Sequence, residues 1–189
     1  MDDFAEKLIH GRTHISPKRL GSPGPSKSQK DKILLAANAA PDHGRTLPWR
    51  FIEIQESSRS ELGEVFYQCL LDRDQNATPI QLQEAREKAL RGPLLFLAIV
   101  SYEDSNAEIS KQEKLISLGC AIQNILLSSY SLGFGSGLSS GRALQSARIR
   151  ELFQLSKQEE PICFITIGTV LKTKPDRIRP EISEYHSLF

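Results

Sequence analysis

The sequence predicts an α/β (α+β) layered fold formed by one domain spanning residues 1–189. Three observations lead there. Residues 50–55, 94–100 and 162–170 have the length and the β-branched or aromatic content of strands. Segments of helical periodicity separate them, the longest over residues 111–132. The chain has 189 residues, 39% of them hydrophobic, which suits one real core. Strands alternating with helices pack as layers around such a core.

The elements follow in order. Residues 3–10 read as a short helix. Residues 16–27 contain Pro17, Pro23 and Pro25 with Gly21 and Gly24, a density expected to exclude regular structure. A helix is expected from near Ser28, with Asp31 favouring its positive end, through Ile33, Leu34, Ala36 and Ala37. It stops at Pro41, which lacks an amide donor and disfavours helix in the residue before it. After the strand at 50–55, Ser58 and Glu61 match a capping box for a helix whose apolar face is Leu62, Val65, Phe66 and Leu70. Residues 72–92 are polar and helical from Ile80 to Leu90. The unbroken apolar run 94–100 suits a strand covered on both faces. In 111–132, Leu115, Leu118, Ala121, Ile122, Ile125, Leu126 and Leu132 recur at helical spacing, and Ile116 and Leu127 widen the stripe. That breadth predicts a central, mostly buried helix, closed by Gly133. A glycine-rich strand or loop to Gly141, a helix through Ile149, Leu152 and Phe153, and the strand 162–170 complete the chain.

A net charge of +1 gives no global field toward nucleic acid or a membrane surface. Two local basic runs stand out: Arg12, Lys18, Arg19, Lys27, Lys30 and Lys32 near the start, and Lys172, Lys174, Arg177 and Arg179 near the end. Runs of this kind are usually solvated, yet two of them can converge on one phosphate. Cys69, Cys120 and Cys163 form no Cys-x-x-Cys pair and no even framework, as suits a reducing compartment. The acidic start Met1-Asp2-Asp3 has no apolar core after it, and no stretch reaches the length of a membrane span. The expectation is a soluble, cytoplasmic protein with no nucleic-acid or membrane partner.

The segment Ala40-Pro41-Asp42-His43-Gly44-Arg45-Thr46-Leu47-Pro48-Trp49 is the most informative loop, with its polar side chains beside the only Trp. Loops of this kind often bind ligands, while Trp49 itself reads as core. Arg12 and Thr13 follow an apolar helix and can offer a guanidinium fork and a hydroxyl to one phosphate. Asn124, on a buried helix, needs hydrogen-bond partners from backbone or ligand. Residues 137–141 spell Gly-x-Ser-x-Gly, the nucleophile-elbow pattern, with Ser139 as nucleophile and Asp176 and His186 following in hydrolase order. Against it, no His-Gly-Gly element precedes and the chain is small for such a fold. His10 and His14 lie four apart, but Gly11 stands between them and no third ligand is evident, so no metal site is expected.

Four pieces in register resemble the nitroreductase family of FMN enzymes, particularly its short bacterial branch. They are Gly11-Arg12-Thr13, the Ala40-Pro41-Asp42-His43…Pro48-Trp49 element, residues 119–127 leading into Leu132-Gly133-Phe134-Gly135-Ser136-Gly137, and residues 164–169 followed by Lys172. The resemblance covers nearly the whole chain. It implies a mixed central sheet flanked by helices, and a homodimer with FMN at the subunit interface. It further implies ping-pong transfer of hydride from NADH or NADPH, through the flavin, to a small electron-poor acceptor such as a nitroaromatic or quinone. The cofactor carries that chemistry, so the residues implied are binders rather than catalysts: Gly11, Arg12 and Thr13 at the phosphate and ribityl end, His43 near the ring, Leu138, Ser139 and Ser140 along it, and Lys172 as a second phosphate contact, with Lys174 a weaker candidate. The chain departs from the family twice. Gly11 stands where a first arginine is usual, and Leu138-Ser139 where relatives carry Trp-Arg, implying a smaller, less basic substrate surface. Those departures keep open a flavin-binding protein of the same fold with little reductase activity, alongside the Ser139 hydrolase.

Overall fold

The computed structural model describes residues 2–103, 109–173 and 178–189. Helix α1 spans Asp2–Gly11, and the two-residue strand β1, Leu20–Gly21, follows a single helical turn at Pro17–Arg19. The proline-rich stretch thus contains short regular pieces that its composition seemed to exclude. Helix α2, Lys27–Ala37, starts one residue earlier than expected, because Ser26 rather than Ser28 caps it. The Ser26 hydroxyl accepts from the Gln29 amide and the Gln29 side chain accepts from the Ser26 amide, a complete capping box. The helix ends at Ala37, and turns carry the chain to Pro41.

Strand β2 is Trp49–Glu53 and helix α3 is Arg59–Arg73. The expected Ser58–Glu61 box does not form, because Ser58 already has helical backbone at the end of the turn Glu56–Ser58. Helix α4, Pro79–Glu87, is capped by Thr78 and Gln81 and runs into a turn at Lys88–Leu90. Strand β3 is Leu94–Ser101; helix α5, Lys111–Ser131, starts from a Ser110–Glu113 capping box. Strand β4, Gly135–Ser139, a turn at Arg142–Gln145, helix α6, Ala147–Leu152, and strand β5, Glu159–Val170, follow.

The layered α/β (α+β) fold holds. Strand order is β1-β5-β3-β2, with β4 also paired to β5. Every ladder among the described residues is antiparallel, so the mixed character expected of the sheet is confined to one parallel bridge, His14 with Ser136. Pleating explains the apolar run of β3. Leu94, Phe96, Ala98 and Val100 meet Ile33 of α2 and Leu118, Ile122 and Ile125 of α5 on one face. Leu95, Leu97 and Ile99 meet Leu62 of α3, Leu144 and Ile149 on the other. Trp49 is buried in the first cluster, as its reading as core anticipated. Helix α5 is central but not wrapped all round. Leu115 and Ile116, expected to widen its buried stripe, are 41% and 65% exposed. Among the described residues no helix is long and apolar enough to cross a membrane.

Candidate functional site

The site begins at a seam between the chain after α1 and the edge of β4. His14 bridges to Ser136 in parallel, and the Ile15 amide donates to the Ser136 carbonyl at 2.9 Å. Gly137 permits the approach: a Cβ there would lie 2.0 Å from the Ile15 carbonyl oxygen. The seam sets Arg12 and Thr13 two and one residues ahead of the bridge, and Leu138, Ser139 and Ser140 two to four residues past it. The parallel register leaves Arg12 and Thr13 on one side of the bridge and Leu138, Ser139 and Ser140 on the other, the side of Ser16 and Pro17.

Beside the seam opens a cavity of about 480 Å³, within the range of small-molecule sites. His14, Ser16 and Pro17 line it from the N-terminal segment, and Leu138 and Ser139 from β4. Phe66 and Leu70 of α3, Leu95 and Phe164 of the sheet, and Leu144 give it apolar walls. Arg73, Lys88, Arg91 and Arg142 complete the lining, which holds no carboxylate. Arg91 and its turn are fixed from beneath by Arg59, whose buried guanidinium donates to the Gly92 carbonyl at 2.5 Å and the Pro93 carbonyl at 3.2 Å. Burial lowers the Arg91 pKa, while Glu84 and Glu87 act in the opposite sense.

Arg12 is half-buried, and its Nε is buried with no hydrogen-bond partner. Gly11 is explained by helix α5: a Cβ at Gly11 would lie 2.3 Å from the Tyr130 hydroxyl. The place of a side chain is taken by that ring. The two basic runs do meet. Arg19 donates to the Thr173 carbonyl at 2.9 Å, and Arg179 donates to the His10 carbonyl at 2.8 Å.

Of the predicted contacts, Leu138 and Ser139 line the cavity, and Gly11, Arg12, Thr13, His43, Ser140 and Lys172 do not. His43, in the turn His43–Arg45, is exposed, with Nδ1 2.9 Å from Glu113 Oε1 at the start of α5. That hydrogen bond, with those from Ser110, holds the Glu113 carboxyl down at about 2. Gly11 meets α5 at Tyr130, seventeen residues further on, or about 25 Å along the axis at 1.5 Å per residue. One subunit therefore does not bring His43 and Arg12 together. Lys172 is exposed just past β5 and does not line the cavity. Lys174, Arg177 and Asp176 lie outside the described residues.

Ser139 gains no elbow. It ends an antiparallel strand, and α6 begins only at Ala147, so the sharp strand-to-helix turn that exposes a nucleophile is absent at this position. Among the described residues no cluster of His, Cys, Asp or Glu can hold a metal ion. Sequence reasoning missed His14, Ser16, Arg73, Lys88, Arg91 and Arg142. The last four sit in polar helical or turn segments, where a cation reads as solvated.

The profile of the nitroreductase family matches residues 15–169. The chain belongs to the nitroreductase family. A candidate NAD(P)H nitroreductase of Escherichia coli K12, YdjA, is 30% identical over 167 residues, 88% of each chain. A candidate NAD(P)H nitroreductase of Haemophilus influenzae is 29% identical over 157 residues, covering 83% of this chain and 84% of its own. Solved structures share the fold. A nitroreductase-like family protein of Bacillus cereus has a TM-score of 0.82 at 17% identity, covering 97% of this chain and 94% of its own. An FMN-dependent nitroreductase of Clostridium difficile has a TM-score of 0.62 at 21% identity, covering 94% and 92%. As a nitroreductase-family protein the chain is an oxidoreductase, and its cavity lies where His14, Ser16 and Pro17 run beside Leu138 and Ser139 of β4.

Proposed function

We propose that the protein is an FMN-dependent NAD(P)H oxidoreductase acting as a homodimer, with the flavin phosphate at Arg12 and Thr13 and its ring along Leu138, Ser139 and Ser140. The observation that carries this is the buried Nε of Arg12, which has no hydrogen-bond partner among the described residues; a cavity lined by four cations and no carboxylate lies further along the seam, with Leu138 and Ser139 in its wall. A buried donor left unsatisfied costs about 1–3 kcal/mol, and a phosphate oxygen relieves that cost. Bound there, FMN would supply hydride acceptance from NADH or NADPH and donation to a nitroaromatic or quinone, in a ping-pong cycle.

The protein's residues position and enclose. The Ile15–Ser136 seam holds the segment that follows Arg12 and Thr13 against β4, and Gly137 lets backbone come close. Arg179, fixed on the His10 carbonyl, stands beside the end of α1, where Gly11 leaves the family's cation missing. Lys172, exposed just past β5, would be a second phosphate contact. Dimerisation is supported by the exposed face of α5, where Ile116, Gly119 and Tyr130 follow one another at helical spacing and Gly119 has open space above it. Ile182, Tyr185 and Leu188 of the C-terminal segment are exposed apolar groups of the same kind. In a dimer, His43 of one subunit would reach the flavin of the other.

The departures Gly11 and Leu138-Ser139 favour a second reading, a flavin-binding protein of this fold with little turnover. The visible spectrum of the purified protein, before and after anaerobic NADH or NADPH, separates the two. A flavin band that bleaches supports the reductase, and a band that persists with both donors supports the carrier. A protein that takes up no flavin even from added FMN would sink both.

A further inference from the structure

The cations around the cavity exceed what the flavin phosphate needs. Arg73 ends α3, Lys88 follows α4, Arg91 precedes β3 and Arg142 follows β4, so four separate places in the chain converge on one wall. Among the described residues, Arg73, Lys88 and Arg142 form no ion pair. Nearby acids are engaged with other partners: Asp72 pairs with Arg148 at 2.6 Å, and Glu64 with Arg86 at 2.6 Å. Arg91 feels the carboxylates of Glu84 and Glu87. Gathering like charges in a concave, partly apolar site raises the local potential, and an entering anion lowers it. The rest of the wall suits a ring, because Phe66, Leu70, Leu144 and Phe164 are apolar. The substrate surface that Leu138 and Ser139 leave less basic is thus basic from other elements.

We propose that the oxidising substrate is a small aromatic or quinonoid compound bearing a carboxylate or sulfonate, with Arg73 and Arg142 receiving that group. This rests on the flavin reading above. Both arginines are exposed, as residues meeting a ligand at a cavity mouth must be. For a nitro compound the step balances as one NAD(P)H and one proton consumed, a nitro group reduced by two electrons to nitroso, and one water released. The donor fits the cations less well, since the phosphates of a dinucleotide lie well away from the nicotinamide that approaches the ring.

The test uses the flavin-loaded protein and the matched pair 4-nitrobenzoate and 4-nitrobenzamide. Each is titrated into oxidised protein without NAD(P)H, following the flavin absorption, and kcat/KM is then measured anaerobically for both. Wild type should bind the carboxylate more tightly than the amide, and more so at low salt. In Arg73→Gln/Arg142→Gln the benzoate-to-benzamide ratio should fall about tenfold or more, and Arg73→Lys/Arg142→Lys should recover part of it. Equal affinity of wild type for the two compounds would overturn the inference. So would loss of flavin from the glutamine variant on dialysis, which would assign the cations to the cofactor. A rise in KM confined to NADPH would overturn it too, by assigning them to the donor. A wild-type protein without a bleachable flavin would bring down the parent reading, and this inference with it.

Discussion

Gly137→Ala strikes the seam that aligns the site while leaving every predicted ligand contact chemically intact. The new methyl would sit 2.0 Å from the Ile15 carbonyl oxygen and 3.1 Å from the His14 ring. Contact closer than 3.0 Å is not tolerated, so the 14–15 segment must withdraw from β4 by about 1 Å or more. That withdrawal stretches the 2.9 Å Ile15–Ser136 hydrogen bond and uncovers the buried Ile15 side chain. Leaving a buried backbone pair unmet costs about 1–3 kcal/mol, and overpacking strain adds about 1–3 kcal/mol. A loss of roughly 2–6 kcal/mol lies mostly below the 5–15 kcal/mol that such domains typically hold, and the circular-dichroism spectrum without urea checks that the variant folds. Urea denaturation followed by circular dichroism reads the loss, and FMN fluorescence titration reads the displaced Arg12. Gly141→Ala is the control. It has open space and an extended φ of −85°, so its stability stays within about 0.5 kcal/mol of wild type. A Gly137→Ala protein matching wild type in both assays would refute the claim that this seam positions the site.

Arg12→Ala should keep the fold and weaken FMN binding about tenfold or more, the worth of a charge-assisted contact; unchanged flavin retention on dialysis would count against the phosphate assignment. Ile116→Asp places a charge on the exposed apolar face of α5, and light scattering after size exclusion should report a dimer for the wild type and a monomer for the variant; a wild-type monomer would overturn the dimer reading. Glu113 has its carboxyl pKa held from the usual 4.5 down to about 2, first by His43 and then by Ser110. Its contribution to stability is therefore complete above about pH 4.5 and is lost as pH falls toward 2, and Glu113→Gln should flatten the thermal-melting profile across that window. Gly11→Arg should lose stability because the new Cβ meets Tyr130, and Tyr130→Ala in the same chain should recover it; independent, additive effects of the two changes would show that they are not coupled.

The parts of the fold carried by periodicity were legible. Residues 94–100 read as a strand covered on both faces, and Leu95 and Phe96 do pack into opposite clusters. What periodicity could not show was what covers each face. Leu115 and Ile116 extend the stripe of α5 by spacing alone, yet both stay exposed, Ile116 the more so. Local hydrogen-bond choices were equally hidden. Ser58 has the right neighbour at Glu61 but the wrong backbone, whereas Ser26 and Gln29 do close their box. In the cavity wall, Leu138 and Ser139 were legible because a motif carried them. Arg73, Lys88 and Arg142 were not, since convergence of surface cations is a property of the tertiary fold and leaves no local pattern.

Gly11 looks, in sequence, like a lost cation, but its surroundings make it a consequence of how α5 is used. The Tyr130 hydroxyl fills the space where a side chain at residue 11 would begin. Tyr130 lies fourteen residues after Ile116, which returns it to within about 40° of the same helix face. The ring that displaces the family's arginine is therefore part of the exposed apolar face that the dimer reading needs. The missing positive charge is offset nearby by Arg179, anchored to the carbonyl of His10, one residue before the substitution. At the other end of α5, His43 is held by Glu113 about 25 Å from that cluster. If both elements contact the flavin as proposed, a helix that separates them by this length within one subunit brings them together only when a second copy packs along it. On this reading, Gly11, Tyr130 and Arg179 are one adjustment of a shared interface, and the phosphate end of the site moves with it.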